Sequence, residues 1–225
     1  MAVFNPIPKE HYDVSLLEQN REAIEKEYRE NILEYQEHMD ALADSITPTG
    51  AVMANMRYLS PVQPMKTIHP LPMYAEGWTS SWIAYNNEFY DPVEKFFPIT
   101  HKILSGFGNV FYAHFSILEP RASINAHRGQ SKGNILRSQW CFISPKKKGC
   151  AISASKYLDD STFDSMDYEE NTSFYFDDAE YWHWVENNTD EERVVLLIDY
   201  WTDPTEMKKF DNYVYFTDVN KDFNV

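Results

Sequence analysis

The stretch FYFDDAEYWHWVENNTDEERVVLLIDYW (174–201) decides the fold class. It closes on Val194–Trp201, a run of β-branched and aromatic residues, and opens on the shorter run SFYF (173–176). Turn-forming Asn and Asp residues separate the two, the pattern of short strands joined by tight connections. Further out lie SQWCFIS (138–144), VFYAHFSIL (110–118) and WIAY (82–85). Strands recurring this often predict a mainly β domain, a sandwich or small barrel. One helix is expected around Val93–Leu104.

Toward the N-terminus the period changes. Leu16, Leu17, Ile24, Tyr28, Ile32, Tyr35, Met39 and Leu42 recur at helical spacing, with a Glu-rich opposite face. Asp13 is the expected N-cap, and Pro48 and Gly50 stop the pattern. One long helix or two shorter ones satisfy it. Residues 47 to 75 carry Pro61, Pro64, Pro70 and Pro72 but little Gly or Ser, which predicts an extended, ordered connection. The expected organisation is one domain over 1–225. A helical and extended region (1–75) packs on a β core (76–203), followed by a C-terminal extension (204–225).

A length of 225 residues suits one sizeable domain. Hydrophobic residues at 43% exclude a disordered chain. A net charge of −15 argues against a nucleic-acid polymer as partner, and Lys146–Lys148 reads as a solvated turn. No run approaches the roughly 18 apolar residues of a membrane span. The opening MAVFNPIPKEHYD lacks a signal-peptide core. Cys141 and Cys150 imply no disulfide framework, so a reducing, cytoplasmic setting is expected.

The chemistry concentrates in FSILEPRASINAHRGQSKGNILRSQWCFISP (115–145) and in the opening stretch. His127 follows a strand and turn among the polar or small neighbours Asn125, Ala126 and Gly129. His183 sits between Trp182 and Trp184, and Arg193 begins an apolar strand. An inward-pointing Arg at that place needs an anionic partner, which a dicarboxylate supplies through a bidentate pair. Two imidazoles on β-rich segments suit Fe(II), whose usual oxygenase site is two His plus a carboxylate. By spacing alone, two structural histidines fit as well.

Together these segments resemble the aspartyl/asparaginyl β-hydroxylase family of Fe(II)/2-oxoglutarate-dependent oxygenases. The matching elements are FSILEP, HRG, the later Arg137, FDD before the second His, and Arg193 leading into VVLLIDYW. The likeness spans about residues 76 to 203. It implies a double-stranded β-helix (jelly-roll, cupin-like) core and His127 and His183 as metal ligands. It further implies that Arg193 and Ser116 bind the distal carboxylate of 2-oxoglutarate, with Arg137 near its metal-binding end. The activity implied is hydroxylation of an unactivated C–H bond with Fe(II), 2-oxoglutarate and O2, releasing succinate and CO2. The substrate would be an amino acid, an amino-acid-derived metabolite or a peptide side chain.

Two departures matter. Gly129 stands where most such oxygenases place a ligating carboxylate, leaving an open coordination position. That suits a two-histidine hydroxylase, and equally an Fe(II)/2-oxoglutarate halogenase with chloride in the gap. Asp177 or Asp178 is not expected to complete the site, because FDD reads as strand and turn. Gln139 replaces a family His and can hydrogen-bond a carboxylate without carrying charge. The intact His127, His183 and Arg193 argue against a third reading, a catalytically inactive cupin-like binding protein. Arg128, Trp78, Trp82 and Trp184 are candidate substrate contacts. His114, on the same strand face as Ser116, is expected to be structural, as are His11, His38, His69 and His101. The acidic segment Tyr157–Asn171 is expected to be a solvated loop.

Overall fold

The computed structural model describes residues 3–45, 55–58, 75–85, 87–90, 92–129, 134–157, 162–203 and 205. Two helices lead, α1 (Ser15–Gln19) and α2 (Arg21–Ser45). The strands β1 (Asn55–Tyr58), β2 (Ala75–Tyr85) and β3 (Glu88–Phe89) follow, then α3 (Pro92–Phe96) and α4 (Pro98–Phe107). The remaining strands are β4 (Val110–His127), β5 (Ile135–Ile143), β6 (Cys150–Ser155), β7 (Asp164–Asp167), β8 (Ser173–Phe176), β9 (Trp182–Asn187) and β10 (Arg193–Trp201). All pairings are antiparallel, in the order β7-β6-β9-β4-β10-β5-β8, with β2 also paired to β4. This is the jelly-roll, cupin-like fold.

One strand joins its two layers. The first part of β4 pairs with β10 and β2, and its last part pairs with β9. It bends at Arg121, which has φ 60°. Opposite the bend, Gly77 (φ 65°) lies where a Cβ would come within 2.9 Å of the Ala122 Cβ. Only glycine combines that left-handed backbone with so close an approach.

Strand alternation sorts the cores. Val194, Leu196, Ile198 and Tyr200 of β10 face the helical layer and pack with Leu17, Ile24, Tyr28 and Tyr35. Val195 faces the barrel interior with Leu118, Ile124, Ile152, Phe174, Phe176 and Val185. Glu27 ties α2 to α4, its carboxylate accepting hydrogen bonds from the Ile99 and Thr100 backbone N–H groups at the start of α4. A carboxylate there satisfies orphan donors and complements the helix dipole.

The expected helix at 93–104 is two helices, α4 starting with Pro98 at its first turn. The N-terminal helix divides at Asn20, and Val14, not Asp13, is its N-cap; Asp13 instead accepts from Ser15. Leu16 lies off the buried face at 42% exposure. Of the expected extended connection, only 55–58 and the start of β2 fall within the described residues; the C-terminal extension lies almost wholly outside them. No described helix is long and apolar enough to cross a membrane.

Candidate active site

His127 ends β4 and His183 lies on β9, directly paired in register. Their rings approach to 4.1 Å between centroids. His127 Nδ1 donates to the Asn125 carbonyl at 2.7 Å, and His183 Nδ1 donates to the Tyr181 carbonyl at 3.1 Å. A carbonyl only accepts, so both protons sit on Nδ1 and both lone pairs on Nε2. Burial holds His127 below its ordinary pKa. Burial, then the neighbouring His127 and the Arg137 charge, hold His183 well below its own. Two neutral imidazoles with free lone pairs and carbonyl-fixed tautomers form a donor set that fits a divalent metal. Among the described residues, no group of three or more His, Cys, Asp and Glu side chains could hold a metal.

The space a Cβ would take at Gly129 is occupied. A Cβ built there would lie 1.6 Å from Asp178 Oδ2 and 2.2 Å from its Cγ. The Gly129 N–H also donates to the Asp178 carbonyl at 2.9 Å. The turn after FDD thus folds a buried carboxylate into the space a residue-129 side chain would use. Arg137 Nη1 holds that carboxylate at 3.0 Å. Arg137 also pairs with Asp199 through Nε and Nη2, both at 3.0 Å, and donates to the Tyr112 hydroxyl.

Arg193 lies elsewhere in the interior, fully buried. Its Nη1 donates to the Ser116 carbonyl at 3.0 Å and to Ser116 Oγ at 3.2 Å. Its guanidinium stands 4.9 Å from the centre of the Tyr168 ring. No carboxylate among the described residues lies within ion-pair distance of it, and its Nε has no partner. Ser116 Oγ also accepts from Trp78 Nε1 at 2.8 Å. With two donors already on that oxygen, its own O–H is left to donate. Gln139 Oε1 accepts from the Tyr168 hydroxyl at 2.6 Å, which leaves its amide N–H groups as donors. A buried unpaired cation ringed by spare donors fits a carboxylate.

The structure therefore brings His127, His183, Gly129 and Arg137 together at one place, and Arg193, Ser116, Gln139 and Trp78 at another. Trp82 is buried on the interior side of β2. Trp184 alternates to the opposite side of β9 from His183 and meets the exposed Phe163 at 5.4 Å. Arg128 donates to the Lys156 carbonyl at 2.7 Å and lies over Trp182 at 4.9 Å. Sequence reasoning set Asp178 aside and passed over Asp199 and Tyr168. Tyr168 sits in the acidic stretch expected to be a solvated loop, part of which is strand β7, and only the long-range contact with Arg193 distinguishes it.

Fold and site together define a jelly roll with a histidine pair and an arginine inside the barrel. The family model for aspartyl/asparaginyl β-hydroxylase matches residues 18–203, and the chain belongs to that family. The match reaches back through α2, beyond the β core where the motifs lie. Among curated proteins, none matches. Similar solved structures include a prolyl hydroxylase from Trichoplax adhaerens, in complex with a hypoxia inducible factor peptide fragment. It is 11% identical, with TM-score 0.40, over 61% of this chain and 67% of that one. A Pseudomonas putida prolyl-4-hydroxylase is 13% identical, with TM-score 0.38, over 56% and 72%. A predicted oxalate decarboxylase from Thermotoga maritima is 8% identical, with TM-score 0.35, over 56% and 84%.

Proposed function

We propose that this chain is an Fe(II)- and 2-oxoglutarate-dependent hydroxylase of an amino acid, a related metabolite or a peptide side chain. The observation that carries the reading is Arg193: a fully buried guanidinium with no carboxylate partner among the described residues, in the same barrel as the His127–His183 pair. Leaving such a charge unpaired is costly, so the site is built for an anion. Bound Fe(II), with 2-oxoglutarate and O2, supplies the oxidising power for C–H hydroxylation, releasing succinate and CO2.

The protein's own work is positioning. His127 and His183 would hold the metal through Nε2. Arg193, with the Ser116 hydroxyl, would fix the distal carboxylate of the cosubstrate, and Gln139 adds a neutral donor. The apolar walls from Leu118, Phe174 and Val195 exclude water from the space between. The Asp178 carboxylate favours hydroxylase over halogenase. It sets negative charge beside Gly129, and a chloride held next to it would be repelled.

The test is succinate release that requires both Fe(II) and 2-oxoglutarate, lost in His127→Ala and His183→Ala. Full turnover in both variants would sink the metal assignment. A chlorinated product in chloride buffer would sink the hydroxylase reading.

A further inference from the structure

Three buried polar side chains on the interior face of β2 and β4 have no partner among the described residues: Ser80 Oγ, Trp82 Nε1, and both ring nitrogens of His114. They are 1%, 7% and 5% exposed. They lie together, because Ser80 pairs in register with Ser116 and Trp82 with His114. Trp78, two residues before Ser80 on the same face, already reaches Ser116, which fixes the direction of that face. The Trp82 and His114 rings are 5.3 Å apart. Gln36 takes Ser81 on the opposite, helix-facing side, so the alternation is unambiguous. Other unpartnered groups, such as the Trp140 indole and the Tyr200 hydroxyl, belong to residues of the helix-facing core and line no such wall.

Native interiors pair their buried polar groups, and a cluster left unpaired calls for an explanation. We infer that Ser80, Trp82 and His114 form a neutral recognition wall for the organic substrate, one that takes an amide in preference to a carboxylate. The inference rests on the hydroxylase reading for its placement beside the cosubstrate. The chemistry follows from donor and acceptor counting. The Trp82 indole only donates. Ser80 does either. A neutral imidazole carries one N–H and one lone pair. Burial and the positive charge of Arg193 keep His114 in that neutral form, its pKa lowered to about 3. An amide presents a carbonyl to the indole and an N–H to the imidazole lone pair. A carboxylate would satisfy the donors but set its oxygens against that lone pair. Arg193 is the anion site, and this wall is its uncharged neighbour.

The test uses the full chain loaded with Zn(II) and 2-oxoglutarate, titrated calorimetrically with matched pairs. These are L-glutamine against L-glutamate, succinamate against succinate, and N-acetylglycinamide against N-acetylglycine. The amide of at least one pair should bind roughly tenfold or more tighter, the loss expected when a buried hydrogen-bonding group is left unmatched. Trp82→Phe and His114→Leu should each abolish the preference, and His114→Gln, which keeps a donor and an acceptor, should restore part of it. 2-Oxoglutarate affinity should stay unchanged in all three. A second readout needs no ligand: His114→Leu should raise the melting temperature of the free protein, because it removes two unpaired polar atoms. Equal binding of acids and amides, absence of amide binding, variants that weaken 2-oxoglutarate as much as the amide, or a lowered melting temperature for His114→Leu would each overturn the inference. Failure of the hydroxylase reading shows separately, as wild-type protein that binds no 2-oxoglutarate; an amide preference surviving there would still support the wall.

Discussion

Two arginines enter the interior of this barrel, and they are treated oppositely. Arg137 meets two buried carboxylates, Asp199 and Asp178, and a tyrosine hydroxyl. Arg193 meets a serine, an aromatic face and no carboxylate among the described residues. Arg137 is neutralised from within and acts as a brace. On the proposed reading, Arg193 keeps its charge for an anion from outside the chain. What separates a brace from a binding site is the company the charge keeps, not the residue type.

The largest effect should come from removing the unpaired charge. Arg193→Met should weaken 2-oxoglutarate binding by about a hundredfold, as expected for a lost charge-assisted pair of about 3 kcal/mol. It should cost less stability than loss of Arg137, because among the described residues it strands no carboxylate, only hydrogen bonds to Ser116. Titration and thermal melting of the same sample check both halves. A less stable protein with intact binding would erase the contrast.

Arg137→Met should do the reverse. It takes an ion-pair partner from Asp199 and from Asp178, which are 0% and 1% exposed. Breaking a buried pair costs about 3–5 kcal/mol, and urea unfolding would measure it. A loss under 1 kcal/mol, of the size found for exposed pairs, would show that Arg137 is no brace.

Next in size is Gly129→Ala. Its methyl would collide with the Asp178 carboxylate, and overpacking of this kind costs about 1–3 kcal/mol. Asp178→Gly in the same chain should recover most of that loss. If Gly129→Ala alone is neutral, the carboxylate does not occupy the space.

The smallest effect is a pH slope. His114 has a folded pKa lowered to about 3, so its contribution to stability is present above its unfolded value, about 6.5. That contribution falls away as pH drops from there toward the folded value, by about 1.4 kcal/mol per unit. Melting curves of the free protein from pH 7 to pH 5 should show it, and His114→Leu should flatten it. Identical slopes in the two proteins would show that His114 is not buried neutral.

Legibility in the sequence followed the range of the interaction. Runs such as Val110–Leu118 and Val194–Trp201 declare themselves because alternation and β-branching are local. Strands β6 and β7 escaped notice because CAISAS is built from small residues and DSMD is acidic. β6 becomes a strand by pairing with the more distant β9, and β7 by pairing with β6 at the sheet edge. The candidate site divides the same way. His127, His183 and Arg193 stand out as candidates in short motifs, and the structure supplied what they meet. Asp178 does sit in a turn, as its sequence says. Its carboxylate turns inward because Gly129, 49 positions earlier, leaves room and Arg137 attracts it.

The bend in β4 has a consequence for ligand size. Ser116 and His127 sit on one strand, on opposite sides of the kink at Arg121. The span between the proposed carboxylate anchor and the proposed metal end is therefore gauged by a single piece of backbone, whatever the loops do. For the proposed cosubstrate, chain length is checked by this strand acting as a calliper, with Gly77 as its hinge pin.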